Sequence, residues 1–282
     1  MTPEGRLAPG WRLTRRAGEV VWDVLGDGPP LVLVHGTPSW SYLWRRIAPA
    51  LASRFSVYVF DLPGYGDSPA PPDAELSIAR HARTLVELLE RWELEAPAIA
   101  GHDIGGAIAL RAHLLHRCAF RRIGLVDPVV FAPWITATTR HVQAHLDTYR
   151  TMPNHVFRMI TETHLRTAVH GGMDEETLAA YQRPWAGESG QAAYLQKVAG
   201  FDEDDTTEFE PLLETIRVPV RIVWGAEDQW LSPALAARLR DAIPGADLVL
   251  VPAAGHFAME DAPAAVTEAL SGFFSAALDG GE

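Results

Sequence analysis

The order of strand and helix signals predicts an α/β protein: a mostly parallel central sheet flanked by helices, interrupted once by a helical insertion after its sixth strand. Three observations carry this. Short apolar runs alternate with amphipathic stretches through the first half of the chain. The alternation stops after Asp127 and resumes at Val220. A glycine-rich turn carrying an acid, Gly101-His102-Asp103-Ile104-Gly105-Gly106, joins one apolar run to a helix.

Taken in order, residues 19–25 and 31–34 read as strands, the second a continuous apolar run of the kind found in central parallel strands. A helical pattern covers 41–51 and a strand 56–60. Ser77 is placed to cap an amphipathic helix that reaches Trp92. A strand over 97–100, a helix over 105–117 and a strand over 122–126 follow. Repeated strand–helix–strand units imply parallel pairing with helices on both faces. Residues 132–213 read as helical and aromatic-dotted with no strand, and are expected to form a cap. The core is expected to comprise 1–131 and 214–282, the latter with strands at 220–223 and 247–251 and helices at 233–242 and 263–278. Ligands of open α/β sheets bind beyond the carboxyl ends of the strands, where such a cap would close a pocket.

Composition narrows the function. With 36 acidic against 24 basic side chains in 282 residues, the net charge of −12 argues against nucleic acid or an anionic membrane as partner. Lysine occurs only at Lys197, and Asp202 to Asp205 form an acidic run that reads as a solvated face. Cys118 is the only cysteine, so no intrachain disulfide can form. Residues 1–18 lack an apolar leader core, and no apolar run approaches the ~18 residues of a membrane span. The expectation is a cytoplasmic protein, monomeric or homodimeric, whose partner is a small-molecule substrate.

The 101–106 segment has the glycine–any–nucleophile–any–glycine pattern of a nucleophile elbow, between strand and helix as that motif requires. The sharp turn lifts the central side chain over the sheet, and the helix dipole beneath keeps a carboxylate ionised. The plainer alternative makes Asp103 a helix cap. Two features weigh against it. Asp228 in Trp224-Gly225-Ala226-Glu227-Asp228-Gln229-Trp230 and His256 in Ala254-Gly255-His256-Phe257 each follow a strand, giving the order nucleophile, acid, histidine. Asp127, ending the strand before the insertion, is the competing acid, although before Pro128 it also reads as a turn residue. His35-Gly36-Thr37-Pro38 follows the first long apolar strand, so the backbone N–H groups of Thr37 and Ile104 are the expected oxyanion-hole donors.

With these segments, and with Ser41-Tyr42-Leu43-Trp44-Arg45, Asp61-Leu62-Pro63-Gly64-Tyr65-Gly66-Asp67-Ser68 and Gly255-His256-Phe257, the chain resembles the α/β-hydrolase superfamily over nearly its whole length. Within it, the aspartate resembles the branch holding haloalkane dehalogenases, epoxide hydrolases and fluoroacetate dehalogenases. The resemblance implies displacement at a saturated carbon by Asp103, followed by hydrolysis of the alkyl ester by water that His256 activates. Some dehalogenases of the branch place their acid where Asp127 stands.

Two leaving groups remain open. Many haloalkane dehalogenases hold halide with a tryptophan after the nucleophile and an asparagine in the HGNP-type motif; here those positions are Ile104 and Thr37. Fluoroacetate dehalogenases carry an arginine after the nucleophile, which Ile104 also lacks. Epoxide oxygens are held by cap tyrosines, for which the insertion offers Tyr149, Tyr181 and Tyr194, whereas Trp134 and Trp185 could donate indole N–H groups to halide. His35, Pro38, His102 and Phe257 complete the expected pocket lining. The leaning is to an epoxide. A homologue that binds without hydrolysing is the reading from another class, and a serine esterase is excluded by the lack of any Gly-x-Ser-x-Gly. The pairs His141/His145 and His113/His116 have helical spacing but no metal-site context, and no phosphate loop or dinucleotide fingerprint occurs, so neither metal nor cofactor is expected.

Overall fold

The computed structural model describes residues 11–276. Eight strands form one sheet in the order β1-β2-β4-β3-β5-β6-β7-β8. These are β1 (Arg15–Ala17), β2 (Val20–Leu25), β3 (Pro30–Val34), β4 (Ser56–Phe60), β5 (Ala98–His102), β6 (Ile123–Val126), β7 (Val220–Gly225) and β8 (Asp247–Val251). From β4 across to β8 every pairing is parallel, whereas β1 with β2 and β2 with β4 are antiparallel.

The continuous apolar runs have the expected cause. Leu31 to Val34 are fully buried, and their side chains alternate between two cores. Val32 and Val34 pack with α2 (Ile78–Arg91) and α3 (Ile104–Leu114). Leu31 and Leu33 pack on the other face with α1 (Ala48–Leu51) and the last helix, α12 (Pro263–Ser275). A strand covered on both sides has no polar face to show. Ser77 caps α2 as its position predicts, its hydroxyl accepting from Arg80 N–H at 3.1 Å.

Three local readings change. β1 escapes sequence analysis because its two arginines are exposed and it spans only three residues, held by a turn at Gly18 (φ +61°). The helical stretch at 41–51 divides into a 3₁₀ segment, Ser41–Arg46, and α1. β5 runs on to His102 because Gly101 and His102 continue the ladder opposite Leu125 and Val126, which brings the elbow to the very end of the strand. The predicted end of α12 at Leu278 lies outside the described residues.

Between β6 and β7 the described chain contains only helices: α4 (Ala137–Ala144), α5 (Leu146–Arg150), α6 (Asn154–Arg166), α7 (Glu175–Gln182), α8 (Gly187–Ala199) and α9 (Asp204–Thr207), with 3₁₀ turns at Arg183–Trp185 and Glu210–Thr215. α10 (Ala234–Ala242) and α11 (Ala258–Asp261) follow β7 and β8. The insertion sits on the loops that leave the strands. Trp40 donates its indole N–H to Ala180 O at 3.1 Å, and Arg183 pairs with Asp67 at 2.7 Å. Among the described residues no helix is long and apolar enough to cross a membrane.

Candidate active site

Asp103 stands between β5 and α3 with φ 53° and ψ −123°. For a residue with a Cβ this backbone costs about 1–3 kcal/mol, a strain that persists only where the surroundings enforce it. Gly101 helps to enforce it, since a Cβ there would lie 2.2 Å from Gly105 O. Asp103 makes no side-chain cap to α3, so the plain helix-cap reading fails. Instead Oδ1 accepts the Thr37 N–H at 2.8 Å. Oδ2 lies 3.3 Å from His256 Nε2, a charge contact too long for a strong hydrogen bond. Ile104 N–H occupies the first position of α3, where a helix offers no internal acceptor.

His256 follows β8. Its Nδ1–H donates to Asp228 Oδ2 at 2.9 Å, and the other Asp228 oxygen accepts from Trp230 N–H at 2.7 Å and Leu231 N–H at 3.0 Å. Both oxygens of Asp228 are thus occupied, which fixes the carboxylate and the imidazole tautomer together. Asp127 is not the partner: Oδ1 accepts Gly225 N–H at 2.7 Å, and Oδ2 is buried without a partner. Burial, and then the charge of Asp228, push the Asp127 carboxyl well above its ordinary range. Burial works against the charged form of His256, but the Asp228 carboxylate and then Asp103 raise it well above the usual imidazole value. Burial likewise opposes an Asp103 anion, and the His256 contact together with Thr37 N–H still holds it below the carboxylate norm. Both shifts favour the charged pair, a protonated His256 beside an ionised Asp103.

A cavity of about 40 Å³ opens above Asp103 and His256. Thr37, Pro38, Trp134 and Tyr194 line it as the sequence predicts. The other expected pocket residues do not. Tyr181 donates its hydroxyl to Glu260. Tyr149 sits apart with its ring edge on His141. Trp185 lies behind the wall, its indole N–H donating to Pro38 O at 2.9 Å. Trp134 faces the cavity but spends its N–H on Thr206 Oγ1 at 3.1 Å. A buried indole or phenol is ordinarily satisfied by its own protein, and these three obey that rule.

His35 and His102 are internal fasteners. His35 Nδ1–H donates to Gly36 O at 2.8 Å while Nε2 accepts Leu62 N–H at 2.9 Å, and burial lowers its pKa to about 4. His102 Nε2–H donates to His256 O at 2.9 Å, and burial lowers it to about 3. Phe257 is wholly buried against Tyr181 and Trp230.

Nine lining residues were not anticipated, Trp230, His164 and Lys197 among them. Trp230 stacks on His256 with ring centroids 4.9 Å apart, and His164 stacks on the same indole at 4.3 Å. Lys197 of α8 enters from above, Nζ donating to Thr37 Oγ1 at 3.0 Å. Two signals for them exist in the sequence: Trp230 falls two residues after Asp228, and Lys197, the single lysine, falls one helical turn after Tyr194. Among the described residues no cluster of acidic, histidine or cysteine side chains could hold a metal ion.

This geometry agrees with what the chain is similar to. The family model described as the alpha/beta hydrolase fold matches residues 29–263. A crystal structure of an alpha/beta hydrolase fold protein from Burkholderia ambifaria is 39% identical with a TM-score of 0.87, covering 89% of this chain and 93% of that one. Haloalkane dehalogenase 2 of Mycobacterium tuberculosis is 28% identical, over 95% of this chain and 96% of its own. Cis-3-alkyl-4-alkyloxetan-2-one decarboxylase of Xanthomonas campestris is 26% identical, over 88% of each. The matched region contains β3 to β8 with the elbow, Asp228 and His256, and the chain belongs to the α/β-hydrolase fold family, as a hydrolase with haloalkane dehalogenase-like relatives.

Proposed function

We propose that this hydrolase opens a small organic substrate at a saturated carbon through an alkyl ester on Asp103, and that its substrate is of the epoxide type. The observation that carries the reading is the division of labour on one carboxylate. Oδ1 is held by Thr37 N–H at 2.8 Å, and Oδ2, 3.3 Å from His256 Nε2, is the oxygen left free to attack a substrate in the cavity that Asp103 lines. A carboxylate so held attacks an sp³ carbon with Oδ2 and expels the leaving group. The Thr37 and Ile104 N–H groups then serve the second step. Water attacks the ester carbonyl carbon, and they receive the negative charge that develops on Oδ1.

Esterification also prepares the base. While Asp103 is an anion, it helps keep His256 protonated. The neutral ester removes that charge, so His256 can shed its proton and accept one from water. Asp228 holds the ring in place and stabilises the imidazolium that reforms.

An oxygen leaving group is favoured because neither expected halide donor is free: the indoles of Trp134 and Trp185 both donate to protein oxygens. Tyr194, a tyrosine of the expected kind, lines the cavity. The Xanthomonas relative is named for another strained oxygen ring, an oxetanone. The second reading, halide displacement, draws on the printed name of the mycobacterial relative.

The test is chemical trapping. His256→Gln protein incubated with 1,2-epoxybutane is expected to gain the mass of the probe, located by peptide mapping on Asp103. Wild-type protein turned over in ¹⁸O-water is expected to carry the label in the Asp103 carboxylate. Absence of both, with an intact fold, refutes the ester mechanism and favours a homologue that binds without hydrolysing. An adduct from 1-bromobutane together with inertness toward the epoxide moves the assignment to dehalogenation.

A further inference from the structure

Lys197 is 1% exposed and has no ion-pair partner within 4 Å among the described residues. Its Nζ lies 3.7 Å from the ring centroid of Tyr194 and 4.8 Å from that of Trp185, with Tyr65 and Phe201 farther out at 5.7 and 5.9 Å. An ammonium has three N–H donors, and the bond to Thr37 Oγ1 uses one. Burying an amine so sparingly bonded is costly, and a purely structural role would be served better by methionine or leucine. Thr37 ties the lysine to the nucleophile: its N–H holds Asp103 Oδ1, and its hydroxyl holds Nζ. Both Lys197 and Asp103 line the one cavity, the carboxylate from the sheet and the amine from the cap.

Resting on the epoxide reading above, we infer that Lys197 is the acid that protonates the departing oxygen, in the place where a second cap tyrosine was expected. In the first step Asp103 Oδ2 forms a bond to the ring carbon as the carbon–oxygen bond of the ring breaks. The electron pair moves to the oxygen, which takes a proton from Nζ, leaving a hydroxyl and a neutral amine. With Asp103 esterified, the His256 imidazolium gives up its proton, which returns the neutral Lys197 amine to an ammonium. In the second step the neutral His256 takes a proton from water, and the hydroxide adds to Asp103 Cγ. The ester bond breaks, and the product oxygen collects the proton from His256. The carboxyl so formed ionises, and its proton returns His256 to the imidazolium. The sum is epoxide plus water to diol.

The surroundings suit this role. Burial drives the Lys197 amine well below its ordinary range, while the Asp103 carboxylate draws it back toward the charged form. The four aromatic faces favour the cation further. The other titratable groups that face it are His164, which burial lowers to about 4, and the Tyr65 and Tyr194 phenols, which burial raises above their ordinary value. A phenol made weaker as an acid is a poor proton donor, and an ammonium made stronger is a good one.

The experiment compares His256→Gln protein with its Lys197→Met derivative in single-turnover alkylation, followed by intact mass. One probe needs a proton on its leaving group (1,2-epoxybutane), and the other does not (1-bromobutane). The substitution is expected to slow the epoxide about 100-fold or more, the scale of lost general-acid catalysis, and the bromide by less than about tenfold. Lys197→Gln, which can still hydrogen-bond Thr37 but has no acidic proton, is expected to behave alike and covers failure of the methionine variant to fold. Epoxide alkylation within about threefold of the parent overturns the assignment, and so does an equal loss with both probes. No adduct from either probe in the His256→Gln parent instead refutes the ester mechanism itself.

Discussion

Gly36→Ala tests whether the Asp103 carboxylate must stand where it does. Gly36 has no left-handed φ, so alanine is conformationally acceptable and only space is at stake. The added Cβ would lie 2.4 Å from Asp103 Cβ, 2.6 Å from Oδ1 and 2.8 Å from His102 O. Ordinary contact begins at 3.4 Å, so 3.4 − 2.4 requires about 1.0 Å of retreat. The elbow backbone resists, because Asp103 N–H donates to Val126 O at 3.2 Å and Asp103 O accepts from Gly106 and Val129 N–H at 3.0 Å each. Asp103 Cβ is fixed to that backbone, so the clash is relieved only by moving the elbow and the segment around Gly36 apart, and Oδ1 then leaves Thr37 N–H. A shift of that size is about twice the tolerance of a catalytic group and lowers reactivity about 100-fold, or about 2.7 kcal/mol in the barrier. Overpacking adds about 1–3 kcal/mol of destabilisation, which for a domain of this size lowers Tm by roughly 2–12 °C. The assay is single-turnover alkylation of Asp103 in the His256→Gln background, beside calorimetry. Alkylation within about threefold of the parent would show that the position of the carboxylate is not what makes it reactive.

Asp103→Ala is expected to abolish turnover with the circular dichroism spectrum unchanged; residual turnover at the wild-type rate contradicts the mechanism. In Asp228→Asn the ester should form yet hydrolyse about 10³- to 10⁴-fold more slowly, so mass spectrometry finds Asp103 adduct accumulating, because the carboxylate that orients and charges His256 is gone. Burial lowers His35, His81, His102 and His164 from 6.5 to about 4, 3, 3 and 4. Their folded pKa values lie below the unfolded one, so stability falls as pH drops from 6.5 toward 4, by up to about 1.4 kcal/mol per pH unit for each histidine. His256, raised rather than lowered, acts in the other window, its contribution being lost as pH rises through its folded value. His81→Leu removes one of these acid-side terms, together with two ring nitrogens that lack partners, and should flatten the slope seen in urea titrations between pH 7 and 5; an unchanged slope contradicts this. Glu260→Ala strands the buried Arg45 guanidinium and the Tyr181 hydroxyl and is expected to lower the unfolding free energy by about 3 kcal/mol in the same titrations.

What the sequence by itself determined is whatever is written in neighbouring residues. Fully buried parallel strands read as apolar runs, which marks Leu31–Val34 of β3 and Ile123–Val126 of β6, and a tight strand-to-helix turn must have small residues around its centre, which marks Asp103. The order of Asp103, Asp228 and His256 was legible for the same reason, each closing a recognisable strand. Tertiary structure alone decided how the long polar side chains are spent. In sequence Asp127 competes with the favoured Asp228, each closing a strand; in the structure only Asp228 meets Nδ1, while Asp127 turns to the Gly225 amide. Tyr181, Trp185 and Trp134 were credible pocket donors until packing gave each an internal acceptor, and the amine tied to Thr37 beside the nucleophile is that of Lys197. A hydrogen bond between residues far apart in the chain leaves no periodicity behind, so the identity of a side chain shows that it can donate, and only its neighbours in space show to whom.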